Sequence, residues 1–266
     1  MNQRKTIGLA LGSGAYRGFA HIGVIRSLQK HGIPIDYLSG ASIGAWVAAY
    51  YAIYQDLDLL ENDLTQNGRE NVSLLFDFSR GGVIGGQKFS SYLEQKLQRH
   101  SFSDLKIPLQ IVATDLTSGL PYIFKDGDVA LAVRASTSVP LVFKPLAYEE
   151  KLLVDGGMSN PVPCNLVKGM GADVVIGVNL YNDNEFSDKS SSITDLAWRS
   201  SVIMLYNLAQ ASLSSADVAI EPDLSSFRQK SSLAKYFDRE TAQKMMEVGE
   251  RAADQAIPKI KKLLGL

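Results

Sequence analysis

Short apolar runs alternate with amphipathic stretches along the first sixty residues. The run TIGLAL, residues 6–11, ends at a glycine, which is typical of a central parallel strand. Residues 19–32 carry apolar side chains at steps of three and end at a glycine, which predicts a helix. A second strand is predicted over 33–42, and residues 43–54, IGAWVAAYYAIY, are apolar on nearly every face and predict a buried helix. This order of elements predicts a layered α/β fold.

The remaining pattern continues this architecture. Strands are predicted at 107–116, 120–127 and 171–180, a hairpin-like pair at 144–163, and helices at 89–100, 128–139, 193–214 and 239–264. Residues 66–90 hold five glycines without periodicity and predict an irregular surface segment, either a lid or a disordered loop, and 181–192 predict a polar loop. No linker divides the chain. We therefore expect a single three-layer α/β domain over 1–266, with a mostly parallel central sheet between helices.

Composition removes several functional classes. The chain has 266 residues and a net charge of −1, so it lacks the basic surface of a nucleic-acid binder. One cysteine, Cys164, and three histidines disfavour a Cys/His zinc site, and Cys164 itself fits a buried, small apolar position. No apolar stretch reaches the ~20 residues of a membrane span. The short N-terminal apolar run is better explained as a strand than as a signal peptide, which predicts a soluble, cytoplasmic protein.

Ser42 is the first candidate for chemistry. It lies in GASIG, a G-x-S-x-G pattern, where a predicted strand runs into a predicted helix. A serine on such an elbow is lifted out of the sheet, and Gly40 and Gly44 remove side chains that would block the turn. The helix N-terminus also favours negative charge near the serine oxygen. The alternative at this point is a serine that only caps the helix.

A glycine-rich loop, GSGAYRG at 12–18, follows the first strand. Successive backbone N–H groups in such a loop can hold an anion, which fits an oxyanion hole or the phosphates of a dinucleotide. Asp36, 18 residues after Gly18, supports the dinucleotide alternative. The glycine spacing is one residue longer than G-x-G-x-x-G, and no Walker A lysine follows, which disfavours nucleotide binding.

Asp155 begins the third motif, DGGMSN. Asp-Gly is a common turn, yet a serine hydrolase also needs a base. The three histidines, His21, His31 and His100, all precede Asp155, so the Ser–Asp–His order of α/β-hydrolases is impossible. Either His21 or His100 acts in an unusual order, or a carboxylate is the base.

These blocks together resemble the patatin-like phospholipases, in the branch of bacterial proteins related to the neuropathy target esterase. GSGAYRGFAHIGV, GASIG, RASTSVP and DGGMSNPVP occur in that family's order. The resemblance covers about residues 7–164, and 165–266 would complete the same domain with a strand and helices. It implies a patatin-like fold without metal or cofactor.

The resemblance also implies roles for individual residues. Ser42 would be the nucleophile and Asp155 the base, and His21 would have a packing or hydrogen-bonding role. Backbone N–H groups of the loop would form the oxyanion hole, at Gly12, Ser13, Gly14 and Ala15. This loop departs from the family, because Ser13-Gly14-Ala15 stands where three consecutive glycines are usual, and serine and alanine resist a positive φ. The supporting motif residues would be Arg17, Gly18, Gly40, Gly44, Gly156 and Gly157, with Arg17 favoured as a structural tether over a phosphate contact.

The implied substrates are lipid acyl esters, with phospholipids or lysophospholipids first. A transacylase, a general carboxylesterase and a non-catalytic regulatory protein of the same fold stay open as alternatives. Peripheral contact with a membrane is expected as well. The stretch 196–213 is amphipathic and could meet a membrane or a partner, although apolar residues at helical spacing favour a place in the core.

Overall fold

A mixed β-sheet forms the centre of the protein. The computed structural model describes residues 4–66, 86–140, 142–181, 192–227 and 238–266. Eight strands pair within these residues, in the order β5-β6-β3-β2-β1-β7-β8, with β4 also paired to β3. They are β1 (Ile7–Leu11), β2 (Tyr37–Ala41), β3 (Leu109–Asp115), β4 (Pro121–Phe124), β5 (Leu146–Tyr148), β6 (Lys151–Asp155), β7 (Val174–Val178) and β8 (Val218–Ile220). Strands β3, β2, β1, β7 and β8 run parallel, and β4, β5 and β6 join as antiparallel pairs.

Helices cover both faces of the sheet. In the described ranges they are α1 (Phe19–Lys30), α2 (Ile43–Tyr54), α3 (Asp58–Gln66), α4 (Gln87–Lys96), α5 (Val129–Ser136), α6 (Cys164–Gly169), α7 (Ile193–Ser212) and α8 (Arg239–Leu264). Alternate residues of β1 enter two separate apolar cores: Ile7, Leu9 and Leu11 pack with the larger helical layer, and Ala10 packs with α6 and α7. The expected three-layer α/β architecture is confirmed.

Glycines set how closely the layers approach. A Cβ on Gly8 would lie 2.6 Å from the Val167 Cβ of α6, so the sheet must offer no side chain there. On the other face, α1 and α8 cross in backbone contact, because a Cβ on Gly23 would lie 1.9 Å from the Met246 carbonyl oxygen. Any larger residue at either glycine would push a helix away from the sheet or from its neighbour.

The predicted bounds agree best with the observed ones for long helices with a clear apolar pattern. Helices α2 and α8 lie where they were predicted, whereas α3, α6 and β8 were not predicted. The prediction of an irregular segment over 66–90 is wrong at its C-terminal end, because α4 begins at Gln87. Residues 67–85 and most of the predicted polar loop at 181–192 lie outside the described residues.

Helix α7 corrects another expectation. Its apolar residues were favoured as core, and Val202 and Ala209 are buried, but Ile193, Leu196 and Met204 are exposed. Ala209 joins the smaller apolar core beside α6, whereas the exposed apolar side chains of α7 face away from the cores formed by the described residues.

Candidate active site

The ends of β2 and β6 meet beside β3. Strand β2 runs parallel to β3 and ends with Ala41 opposite Val112. Strand β6 runs in from the opposite direction and ends with Asp155 opposite Ala113, the next residue along. Both occupy the same side of β3, since β4 pairs with the other side throughout. The residue after β2, Ser42, is therefore brought against the last residue of β6.

Ser42 stands on a strained elbow. Its φ of 55° and ψ of −125° are unusual for a residue with a side chain. The flanking glycines make the turn possible, because a Cβ on Gly40 would lie 2.5 Å from the Ala45 Cα and one on Gly44 would lie 2.2 Å from the Leu11 carbonyl oxygen. Ser42 occupies the N-cap position of α2, yet its hydroxyl makes no capping bond. The capping explanation of this serine is therefore wrong.

The Ser42 hydroxyl instead donates to Asp155. The distance from Ser42 Oγ to Asp155 Oδ2 is 2.5 Å, and Asp155 Oδ1 accepts from the Gly157 N–H at 2.8 Å. Both side chains are buried. Burial raises the pKa of the Asp155 carboxyl to about 6, although the hydrogen bonds from Ser42 and Gly157 act in the opposite direction. The carboxylate is thus ionised at neutral pH and a stronger base than an exposed aspartate.

The histidines face other groups. His21 is fully buried, and its Nε2 lies 2.7 Å from the Gly12 carbonyl oxygen, to which it donates because a carbonyl only accepts. Burial lowers the pKa of His21 to about 4, so the ring is neutral at pH 7. His100 Nδ1 contacts the Leu97 carbonyl, and His31 contacts Asp254. In the ranges that the structure describes, none of the three is hydrogen-bonded to Ser42 or Asp155.

The glycine-rich loop divides into engaged and free N–H groups. The Gly12 N–H donates to the Val178 carbonyl at 3.0 Å, and the Ser13 N–H donates to the Pro161 carbonyl at 2.8 Å. Those of Gly14 and Ala15 have no acceptor among the described residues. This division narrows the four expected oxyanion donors to two, since an N–H already bonded inside the protein is not available to a substrate.

The departures from consecutive glycines have different consequences. Ala15 adopts a left-handed φ of 52°, which a glycine would adopt without strain, whereas Ser13 is not among the residues with positive φ. The Ser13 hydroxyl is hydrogen-bonded to the Tyr181 hydroxyl at 3.1 Å, and a Cβ on Gly157 would lie 2.6 Å from it. The Ser13 hydroxyl therefore ties the loop to Tyr181, after β7, and Gly157 leaves room for the Ser13 side chain beside Asp155.

Arg17 and Gly18 hold the loop from behind. The Arg17 guanidinium donates to the Gly14 and Leu180 carbonyls at 3.1 and 3.2 Å and lies over the Tyr181 ring, 4.9 Å from its centroid. These contacts favour the tether over a phosphate contact. A Cβ on Gly18 would lie 2.1 Å from Ile43 Cγ1, so the glycine lets the loop approach the elbow.

Asp36 lies far from this loop along the strand direction. Asp36 precedes β2, whereas the glycine loop follows β1. The two therefore lie at opposite ends of these parallel strands. Its carboxylate is bonded to Arg4 and to the Ile7 N–H. The dinucleotide alternative needs an acid at the carboxyl end of β2 and is therefore wrong in its geometry.

Comparison with known proteins identifies the family. A family model described as patatin-like phospholipase matches residues 9–168. The chain belongs to this family. It is 35% identical over 176 residues to an uncharacterized NTE family protein of Mycobacterium tuberculosis, which covers 65% of this chain and 49% of that one. It is 30% identical over 187 residues to human patatin-like phospholipase domain-containing protein 6, which covers 68% of this chain and 14% of that one.

The patatin-like fold is also seen in a solved structure. VipD from Legionella pneumophila aligns with a TM-score of 0.57 at 14% sequence identity, over 94% of this chain and 67% of that one. This likeness supports the fold alone. The chain spans about half the length of the mycobacterial relatives that it matches.

Among the described residues, no three His, Cys, Asp or Glu side chains come together as a metal site would need. Within those same ranges, no helix combines the length and hydropathy required to cross a bilayer. Asp115, the last residue of β3, accepts from the Thr117 N–H and the Ser118 hydroxyl, and Cys164 is buried as expected.

Sequence reasoning missed one contact of the patatin-like elbow. The Ser42 N–H donates to the Ser136 hydroxyl at 2.8 Å. Ser136 belongs to the RASTSVP block, and the signal for its role was the run of three hydroxyl residues, 136–138, at the end of a mostly apolar helix. Hydroxyls buried in such a setting must have partners.

Proposed function

We propose that this protein is a serine acyl hydrolase that cleaves lipid acyl esters with a Ser42–Asp155 dyad. The observation that carries the proposal is the 2.5 Å hydrogen bond from Ser42 Oγ to Asp155, made on a strained elbow. The glycine-rich loop, which has two free backbone N–H groups, approaches that elbow through Gly18. Membership of the patatin-like phospholipase family supports lipid hydrolysis as the activity.

The reaction would proceed through an acyl-enzyme. Asp155 accepts the Ser42 hydroxyl proton while Oγ bonds to the ester carbonyl carbon. The carbonyl oxygen becomes an oxyanion, to which the N–H groups of Gly14 and Ala15 donate, and the N-terminus of α2 favours the same charge. Asp155 then returns the proton to the alcohol as its C–O bond breaks.

Water completes the cycle by the same steps. Asp155 takes a proton from water while the water oxygen bonds to the acyl carbon. The acyl–Oγ bond then breaks, Ser42 regains the proton and the fatty acid leaves. A base with a pKa of about 6 suits both halves, because it is ionised at neutral pH and still strong enough to accept the proton.

Exposed apolar side chains support a lipid substrate and contact with a membrane surface. Leu116 follows β3 and Leu120 precedes β4. Both therefore lie at the carboxyl ends of the parallel strands, the same end of the sheet at which Ser42 follows β2. The Leu116 N–H donates to the Leu152 carbonyl, and the side chains of all three leucines are exposed, Leu120 by 65%. Exposed apolar side chains at the end of the sheet that carries Ser42 suit an interface with lipid. The cytoplasmic location stays a prediction.

A fluorophosphonate probe tests the proposal without a guess about substrate. We expect the wild type to be labelled at Ser42 and Ser42→Ala to lose both labelling and hydrolysis of a p-nitrophenyl ester. Folding of the variant is checked by circular dichroism. Undiminished hydrolysis by a folded Ser42→Ala protein would refute the nucleophile, and an unlabelled wild type would favour the regulatory alternative. Product analysis with an added acyl acceptor separates hydrolysis from acyl transfer.

A further inference from the structure

One short segment contacts the backbone of both members of the dyad. Residues 136–138 are the last residue of α5 and the two residues after it, and the Ser136 and Ser138 side chains are fully buried. Ser136 Oγ accepts from the Ser42 N–H at 2.8 Å, and the Ser138 carbonyl accepts from the Asp155 N–H at 3.0 Å. The segment therefore bridges two residues that are 113 positions apart in the chain.

The bridging segment 136–138 is braced by a buried arginine. The Arg134 guanidinium donates to Ser138 Oγ at 2.7 Å, and the same hydroxyl donates to the Arg134 carbonyl at 2.9 Å. The side chain of Arg134 is 3% exposed and lies over the Phe143 ring, 5.0 Å from its centroid. No carboxylate pairs with it among the described residues. Burying the guanidinium costs desolvation energy that an apolar side chain of the same size would not cost. What Arg134 supplies and an apolar side chain could not is the hydrogen bond to Ser138.

The strained conformation of Ser42 explains what the bridge is needed for. With a φ of 55°, the elbow gains by relaxing, and a rotation of its backbone would turn both the N–H and the Oγ away from their partners. The Ser136 hydroxyl holds that N–H, and the other end of the segment holds the backbone of Asp155. Movement of either member is thus resisted by a contact with the same three residues.

We propose that Ser136, Ser138 and Arg134 are positioning residues that set the distance between Ser42 Oγ and the Asp155 carboxylate. The proposal rests on the proposed function, because it concerns the geometry of the same reaction. It assigns no contact with substrate to these residues: their effect is expected in kcat and in the titration of Asp155, with KM unchanged.

Ser136→Ala removes the acceptor of the Ser42 N–H. We expect kcat for a p-nitrophenyl ester and the rate of fluorophosphonate labelling to fall at least tenfold, with KM unchanged. The midpoint of the labelling rate against pH should also move upward, because a longer Ser42–Asp155 hydrogen bond stabilises the carboxylate less. Ser136→Cys is nearly isosteric and a weaker acceptor, so its kcat and its labelling rate should lie between those of the wild type and of Ser136→Ala.

Ser138→Ala and Arg134→Met test the brace. Each removes one partner of the same hydrogen bond, so each should lower kcat in the same direction as Ser136→Ala. The double variant should be no worse than the worse single variant, since the bond can be lost only once. Additive losses would refute the brace, because they would mean that the two side chains act independently.

Ser27→Ala is the matched control. Ser27 is also fully buried and donates to Asp254 Oδ1 at 2.6 Å, but it lies on α1 outside the bridge. It should lower stability without changing kcat or the pH midpoint. Suppose that the wild type is labelled at Ser42 and that folded Ser136→Ala keeps the wild-type rate and pH midpoint: the bridge is then refuted and the function stands. If Ser136→Ala does not fold, wild-type values for both Ser136→Cys and Ser138→Ala refute the bridge in the same way. An unlabelled wild type refutes the function itself.

Discussion

Replacing Asp155 by asparagine should abolish activity and, at neutral pH, make the protein more stable. The carboxyl is buried, and its pKa rises from 3.8 to about 6 in the folded protein, mainly because burial disfavours the charge. The folded state therefore holds the proton more tightly than the unfolded state does. The stability from this proton is fully present below pH ~4 and is lost as the pH rises through about 6. Asparagine cannot ionise and avoids that loss.

The size of the effect follows from the pKa. A difference of about 2 units corresponds to about 3 kcal/mol in the free energy of unfolding. The gain of Asp155→Asn over wild type at pH 8 should exceed its gain at pH 3.5 by that amount, which for 266 residues is about 5 °C in Tm. Hydrolysis at pH 8 should fall by several powers of ten, because the dyad acts as a unit.

Thermal unfolding from pH 3.5 to 8 is the assay, with Asp115→Asn as the control. Hydrogen bonds from the Thr117 N–H and the Ser118 hydroxyl lower the pKa of Asp115. Its contribution is present above pH ~4 and lost as the pH falls further, so Asp115→Asn should destabilise at pH 8, the opposite sign. A difference in Tm between Asp155→Asn and wild type that does not change with pH would refute the reasoning, since it would mean that ionisation of Asp155 does not destabilise the folded protein.

Three further outcomes are expected. The rate of fluorophosphonate labelling should rise through a midpoint near pH 6, where Asp155 ionises, and a flat profile from pH 5 to 8 would exclude it as the base. His21→Ala should keep hydrolysis within about tenfold of wild type, ~1.4 kcal/mol, because its ring is bonded to the Gly12 carbonyl; a folded but inactive variant would reassign the base. Replacing Leu116 and Leu120 by serine should weaken sedimentation with phospholipid vesicles and leave hydrolysis of a water-soluble ester unchanged, whereas unaltered sedimentation would contradict contact through these leucines.

Local patterns predicted the elements that are long or have strong end signals. Helix α2 is apolar throughout, and G-x-S-x-G marked its start, so both its bounds and the elbow could be read from the chain. The family, predicted from the order of its motifs, is confirmed by the match of its model, and the α/β class is confirmed by the sheet with its covering helices. The roles of Ser42 and Asp155 stay predictions, although the structure brings the two together.

The missed features depend on distant partners. Strand β8 has three residues and is defined by its pairing with β7, and α6 follows two prolines that resemble a loop. The use of the Gly12 and Ser13 N–H groups depends on the carbonyls of Val178 and Pro161, more than 140 positions away. Local periodicity carries no information about such pairings, so the division of the loop into engaged and free donors required the structure.

The head-to-head arrangement of β2 and β6 also limits how this family can change in length. Strand β3 serves as the common template, and each residue along it spans about 3.4 Å. Deleting one residue from β2 would draw Ser42 back by that distance and turn the following side chain to the opposite face of the sheet. No rotamer change recovers such a shift. Insertions and deletions in descendants of this chain are therefore expected to accumulate in the connections, and these two strands should keep their lengths while their residues vary.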